Sequence, residues 1–156
     1  MVGSAMDNLT EELVSEHPRL QIFSRGGVQF AIPSEEIAVV GDWRRPIALP
    51  QAPPAVLGVV SIQGRMLTVL DPLMFLGSSG NEHDHNGLIV ALRGDEQLAL
   101  LVDEKGETLV GAIENHETGD GWRGVINRQD ETIRILDVKK LFALSMRGRE
   151  RRQRRF

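Results

Sequence analysis

The chain has no cysteine and no tyrosine among its 156 residues, and just two tryptophans and five phenylalanines. Without thiols there is no disulfide, no thiolate nucleophile and no cysteine-bound metal, and the composition fits a reducing compartment. With so few rings, core volume has to come from Val, Leu and Ile, residues that suit short strands. No apolar run nears the roughly 20 residues of a membrane-spanning helix. The opening MVGSAMDNLTEEL has no basic stretch ahead of an apolar core, so it does not read as a secretory signal. These absences predict a cytoplasmic protein.

Charge is unevenly placed. Residues 147–156, RGRERRQRRF, hold six arginines and one glutamate, a balance of +5. The whole chain is −4, which leaves −9 on the first 146 residues. An acidic body with a basic tail weighs against nucleic acid as a partner. Like-charge blocks usually stay solvated, and that is the expectation for the tail.

What the chain does have is concentrated between Leu49 and Leu76, LPQAPPAVLGVVSIQGRMLTVLDPLMFL. Pro50, Pro53 and Pro54 hold the approach extended or turned. Val59, Val60 and Ile62 form a β-branched run, Gln63-Gly64-Arg65 predicts a tight turn, and Met66 to Leu70 predicts the returning strand. Asp71 before Pro72 reads as a helix N-cap and a first-turn proline, with a short helix carrying Leu73, Phe75 and Leu76 inward.

That unit recurs. Residues 58–75 map onto 124–141 at an offset of 66 without a gap, matching Gly58 with Gly124, Gln63 with Gln129 and Asp71 with Asp137. A second echo at 70 sets Val28, Phe30 and Ile32 against Leu98, Leu100 and Val102, and Gly41 against Gly111. Two similar β-subdomains on one core follow from this.

Elsewhere, Met6, Leu9, Leu13 and Val14 fall on one face of a short N-terminal helix, which Pro18 stops. A first strand is predicted to begin at Leu20 and Ile22 and to turn at Gly26-Gly27, with others at Val28–Ile32, Ile37–Val40, Leu88–Leu92, Leu98–Val102, Trp122–Asn127 and Thr132–Leu136. Leu109 and Val110 extend the second half, Glu114 to Gly121 reads as an exposed loop, and Asp137 caps a last helix. Polar, glycine-rich residues 77–87 connect the halves. The organisation expected is a segment 1–19, a domain 20–144 and a tail 145–156. Nine or ten short strands with helical turns at corners make the fold all-β and barrel-like.

Chemistry is thin. His83-Asp84-His85 has metal-ligand types but no fixed spacing in a glycine-rich stretch, so it reads as solvated linker. His116 and His17 have no evident partner. Asp71 and Asp137 already serve as caps. The serines lack a nucleophile-elbow pattern and the glycines form no phosphate loop or dinucleotide fingerprint. The residues predict no enzyme, no cofactor and no metal.

LPQAPPAVLGVVSIQGRMLTVLDP, together with FAIPSEEIAVV, LALLVDE and GVINRQDETIRILDVKKLF, resembles the CheW-like adaptors of bacterial chemotaxis over about Leu20 to Leu144. The resemblance implies two five-stranded SH3/OB-like barrels packed on a shared core. It implies a non-catalytic adaptor between the regulatory domain of a chemotaxis histidine kinase and the tip of a methyl-accepting receptor, with other CheW-like domains as further partners. The membrane would be approached indirectly, through receptor arrays. Protein-binding positions then fall at Ile37, Val39, Ile62 and Gln63. The family usually reads Asn-x-Arg-Gly where this chain has Ser61-Ile62-Gln63-Gly64, and a glutamate where it has Val39. Gln63 lacks the charge and the bidentate fork of arginine. An aromatic common before Val56 is replaced by Ala55. The resemblance therefore points to a divergent member, as in a system controlling pilus-driven motility. A second reading stays open: a CheW-like scaffold that binds other proteins or an anionic surface through its arginine tail, without kinase coupling.

Overall fold

Residues 17–76, 87–114 and 121–144 are described by the computed structural model. The strands are β1 (Arg19–Arg25), β2 (Val28–Pro33), β3 (Ile37–Asp42), β4 (Val56–Ile62), β5 (Arg65–Leu70), β6 (Leu88–Leu92), β7 (Leu98–Val102), β8 (Glu104–Val110), β9 (Trp122–Arg128) and β10 (Glu131–Leu136). A 3-10 turn, Ser34–Glu36, joins β2 to β3, a short helix α1 (Leu73–Leu76) follows β5, and α2 covers residues 138–144.

Turn chemistry explains the hairpins. Gly26 and Gly27 take φ of 62° and 79°, and Gln63 and Gly64 take 50° and 78°, so each pair supplies the two positive values of a type I′ turn. Arg25 thereby stands opposite Val28, and Ile62 opposite Arg65. Asp71 caps α1 by accepting the Leu73 N–H at 3.0 Å, and Asp137 caps α2 by accepting the Lys140 N–H at 3.1 Å.

The strands make two five-stranded sheets, β8-β1-β2-β10-β9 and β3-β6-β7-β5-β4. The second order is the first with each strand replaced by its counterpart in the other repeat. Yet neither sheet is one repeat. The first takes its leading hairpin from the front of the chain and three strands from the back; the second takes three from the front and two from the back. The duplicated sequence unit is thus shared between two structural units.

The offset of 66 holds in detail. Both copies carry a bulge, between Val56 and Gly58 and between Trp122 and Gly124. In both, the incoming segment lies against the outer strand through two backbone hydrogen bonds of 2.9 Å, Ile47 with Val59 and Glu114 with Val125. That segment is why Gly58 and Gly124 match: a Cβ would sit 2.3 Å from the Ile47 carbonyl oxygen at Gly58 and 2.5 Å from that of Glu114 at Gly124. The echo at 70 needs correction. Thr68 stands beside Leu98 and its counterpart Arg134 beside Phe30, so β2 and β7 correspond 68 positions apart. The shift is even and leaves the faces right, but Gly111 is not the counterpart of Gly41.

Alternation then sorts side chains into three cores. Val60, Leu67, Val69, Ile89, Ala91, Ala99 and Leu101 fill the inside of the second sheet, and Leu20, Ile22, Ala31, Ile126, Ile133 and Ile135 that of the first. Phe23, Phe30 and Ile32 meet Leu98, Leu100 and Val102 in the largest cluster, between the sheets. β7 is buried at every position because it faces both cores. Each sheet curls. Val39 on edge β3 and Ile62 on edge β4 touch one cluster, although outer strands of a flat five-stranded sheet lie about 19 Å apart. Polar side chains cross each seam, Arg128 to Glu107 at 2.6 Å and Arg44 to the Ser61 carbonyl at 3.0 Å. The all-β fold of two five-stranded barrels on a shared core is as the sequence predicts.

One local reading changes: β8 begins at Glu104, well before the apolar pair Leu109–Val110. Glu114, exposed as expected, also bridges Val125 on β9, and residues 115–120 of the expected loop lie outside the described residues. The N-terminal helix, the histidines at 83, 85 and 116, most of the connection 77–87 and the arginine tail lie outside the described residues.

Candidate interaction surface

Ile37 and Val39 are two apart, yet they face different cores. The pairing of β3 with β6 shifts between them, and this bulge reverses the alternation. Ile37 and Val40 therefore pack on the cluster between the sheets, and Val39 on the inside of the second barrel. Ile62, at the end of β4, joins Val39 against that inner cluster. All three are half-buried, and the Ile37 carbonyl also accepts the Arg93 Nε–H at 3.1 Å. Gln63 is exposed at the tip of the β4–β5 hairpin. The structure thus brings Val39, Ile62 and Gln63 to one barrel and sets Ile37 toward its neighbour.

Sequence reasoning missed the more exposed apolar groups beside them. Ile47 is 73% exposed, Met66 56% and Leu49 44%. Arg44, Arg45 and Arg65 are exposed on the same stretch. A signal was there: residues 43–70 contain those three arginines and no Asp or Glu. On the other barrel, the comparable exposed group is Val110 at 50%, on edge β8.

An open groove of about 590 Å³ lies where β10 meets β2, because the two strands pair at Arg134 and Ile135 alone. Ser24, Gln29, Glu131 and Thr132 line it above Val28 and Ile133. It holds one carboxylate and no second group to exchange a proton with. Among the described residues no group of three His, Asp or Glu side chains is placed to hold a metal ion.

The CheW-like domain profile matches residues 19–146, which takes in both barrels. The chain belongs to the CheW-like family. No curated protein sequence matches it. Among solved structures it is similar to the crystal structure of the scaffolding protein TtCheW from Thermoanaerobacter tengcongensis, with a TM-score of 0.69 and 17% identity over 78% of this chain and 85% of that one. At that identity the likeness speaks for the fold.

In this CheW-like domain the buried charges hold barrels together. Arg25, its side chain 4% exposed, donates to both oxygens of Asp71 at 3.1 and 3.0 Å and to Asp103 at 3.1 Å. Asp71 follows directly on β5 of the second sheet, and Arg25 ends β1 of the first. Burial alone would lower the Arg25 guanidinium, and the bonds and charges of Asp71 and Asp103 lift it above its ordinary value instead. Across the molecule, Arg123 on β9 donates to Glu36 at 3.0 Å, while the second Glu36 oxygen is buried without a hydrogen bond. Burial pushes the Glu36 carboxyl above its usual range, Asp137 and Glu35 push the same way, and Arg123 offsets part of it. These groups are paired with one another inside the fold.

Proposed function

We propose that this CheW-like chain is a non-catalytic adaptor that links methyl-accepting receptors to a chemotaxis histidine kinase. The profile match over residues 19–146 carries the reading. An adaptor recruits through edge strands and exposed aliphatic side chains and needs no reactive group. TtCheW, similar in fold, is itself described as a scaffolding protein. We place the contacts at Ile37, Val39, Ile62 and Gln63, where Gln63 and Val39 weaken the coupling and suit a specialised system such as pilus-driven motility. The setting is the cytoplasm, at receptor arrays.

Retention of the full chain on an immobilised kinase regulatory domain and on a receptor tip tests this. Binding to both is expected. Gln63→Arg should strengthen the kinase contact and leave the receptor contact unchanged. Binding to neither, with retention on anionic lipid lost on arginine-to-alanine changes in residues 147–155, would establish the other reading.

A further inference from the structure

We infer that the acidic N-terminal segment, residues 1–16, docks on the apolar face of the second barrel that carries Ile47, Leu49 and Met66, with the exposed Arg44 and Arg45 on the same stretch and Arg65 at the adjoining hairpin end. The inference concerns a contact within the chain and does not rest on the adaptor reading.

Three observations select this occupant. The first is charge. The segment holds Asp7, Glu11, Glu12 and Glu16 and no Lys or Arg, while the stretch 43–70 holds three arginines and no carboxylate. Opposite charges near a protein surface attract, so unmixed patches of opposite sign favour each other. The second is apolar match. Met6, Leu9 and Leu13 recur at helical spacing, and the face offers Ile47, Leu49 and Met66, more exposed than aliphatic side chains normally stay. The arginine tail is a rival for the acidic charges, but it brings no aliphatic side chain after Met146, so the apolar stripe would stay wet there.

The third is reach. β1 begins beside Pro33, where the turn into β3 starts, and Trp43 lies just past the far end of β3. Six residues of β3 make that path about 20 Å. A helix of twelve residues would span roughly 18 Å and each extended residue adds about 3.3 Å, so sixteen residues are long enough to cover it. A tethered contact of this kind also gains from an effective concentration near the millimolar range.

The absence of cysteine makes the test clean. Ala5→Cys carries a nitroxide on the full chain, and the methyl signals of Ile47 and Met66 and the Trp43 indole signal are followed in dilute solution. Those signals should be lost beside the radical and recover on its reduction, while Val110 on the other barrel keeps its intensity. Arg44→Glu with Arg45→Glu, or Leu9→Ser with Leu13→Ser in the segment itself, should restore them. The inference is overturned if they never broaden, if Val110 or residues 147–155 broaden instead, or if the loss needs labelled and isotope-labelled molecules mixed. It is equally overturned if Ile47 and Met66 respond to phosphatidylserine vesicles and not to the label, because the face then meets membrane.

Discussion

Asp71 and Asp137 are counterparts by sequence and by backbone, each leaving its strand to cap a helix, and each donating its N–H to the carbonyl just ahead of the neighbouring strand (Ala55 at 2.8 Å and Gly121 at 2.9 Å). Their side chains live differently. Asp71 is buried under both donors of Arg25 and shares that arginine with Asp103. Asp137 is half-buried and caps α2, while Arg93, near the matching end of β6, turns to the Ile37 carbonyl. Duplication has kept the backbone devices, namely cap, bulge, glycine and outer bridge. The charges have diverged: on one side a buried Arg25–Asp71 pair, extended to the half-exposed Asp103, joins the barrels, and on the other the more exposed Arg123–Glu36 pair.

The largest effect should come from breaking the triad. Arg25→Met leaves two carboxylates without their cation and should lose about 3–5 kcal/mol in urea denaturation at neutral pH. Arg123→Met, at a pair whose side chains are 35% and 25% exposed, should lose far less. Equal losses would erase the asymmetry. Next come the paired glycines: Gly58→Ala and Gly124→Ala should each lose about 1–3 kcal/mol through overpacking. Gly58 should lose more, since its φ of 148° adds strain. Gly41→Ala, with nothing within 4 Å of its Cβ, is the control and should gain up to about 1 kcal/mol from the stiffer unfolded chain.

Smaller still, Asp137→Ala should lose the ~1 kcal/mol of an N-cap, well short of Asp71→Ala. The subtlest test is pH. Glu36 is raised in the folded state, so the fold binds its proton more tightly than the unfolded chain does. Its contribution is full below the unfolded carboxyl range and fades as pH rises through the folded value. The wild type should therefore lose stability relative to Glu36→Gln on going from pH 4 to 7, read by thermal melts across that window. A reversed slope would mean that Arg123 outweighs burial.

Much of this was written locally. Gly26-Gly27 and Gln63-Gly64 announce their turns, alternation finds Val28–Ile32, and Asp71-Pro72 announces its cap. Distance and polarity hid the rest. Arg25 is 46 positions from Asp71, so the cap was legible and the ion triad was not. β8 reads EKGETLV and is exposed through most of its length, because an edge strand bonded on one side needs no apolar pattern. The bulge between Ile37 and Val39 left no mark in composition, and alternation without it places both on one face. Of the candidate surface, Gln63 was legible as a turn tip. Ile47 and Leu49 were not, because a proline-rich approach looks like a connector until it is seen crossing β4.

The interleaving of the repeats has a cost during synthesis. β2 needs β10 as its sheet neighbour, and about a hundred residues of translation separate them, roughly 5–20 s at ribosomal rates. Through that interval the edge of β2 that β10 will pair with has no strand beside it. A stop codon anywhere before residue 136 would release a fragment with an unfinished first barrel and a sticky edge. Such a chain asks chaperones for more help than its modest size suggests.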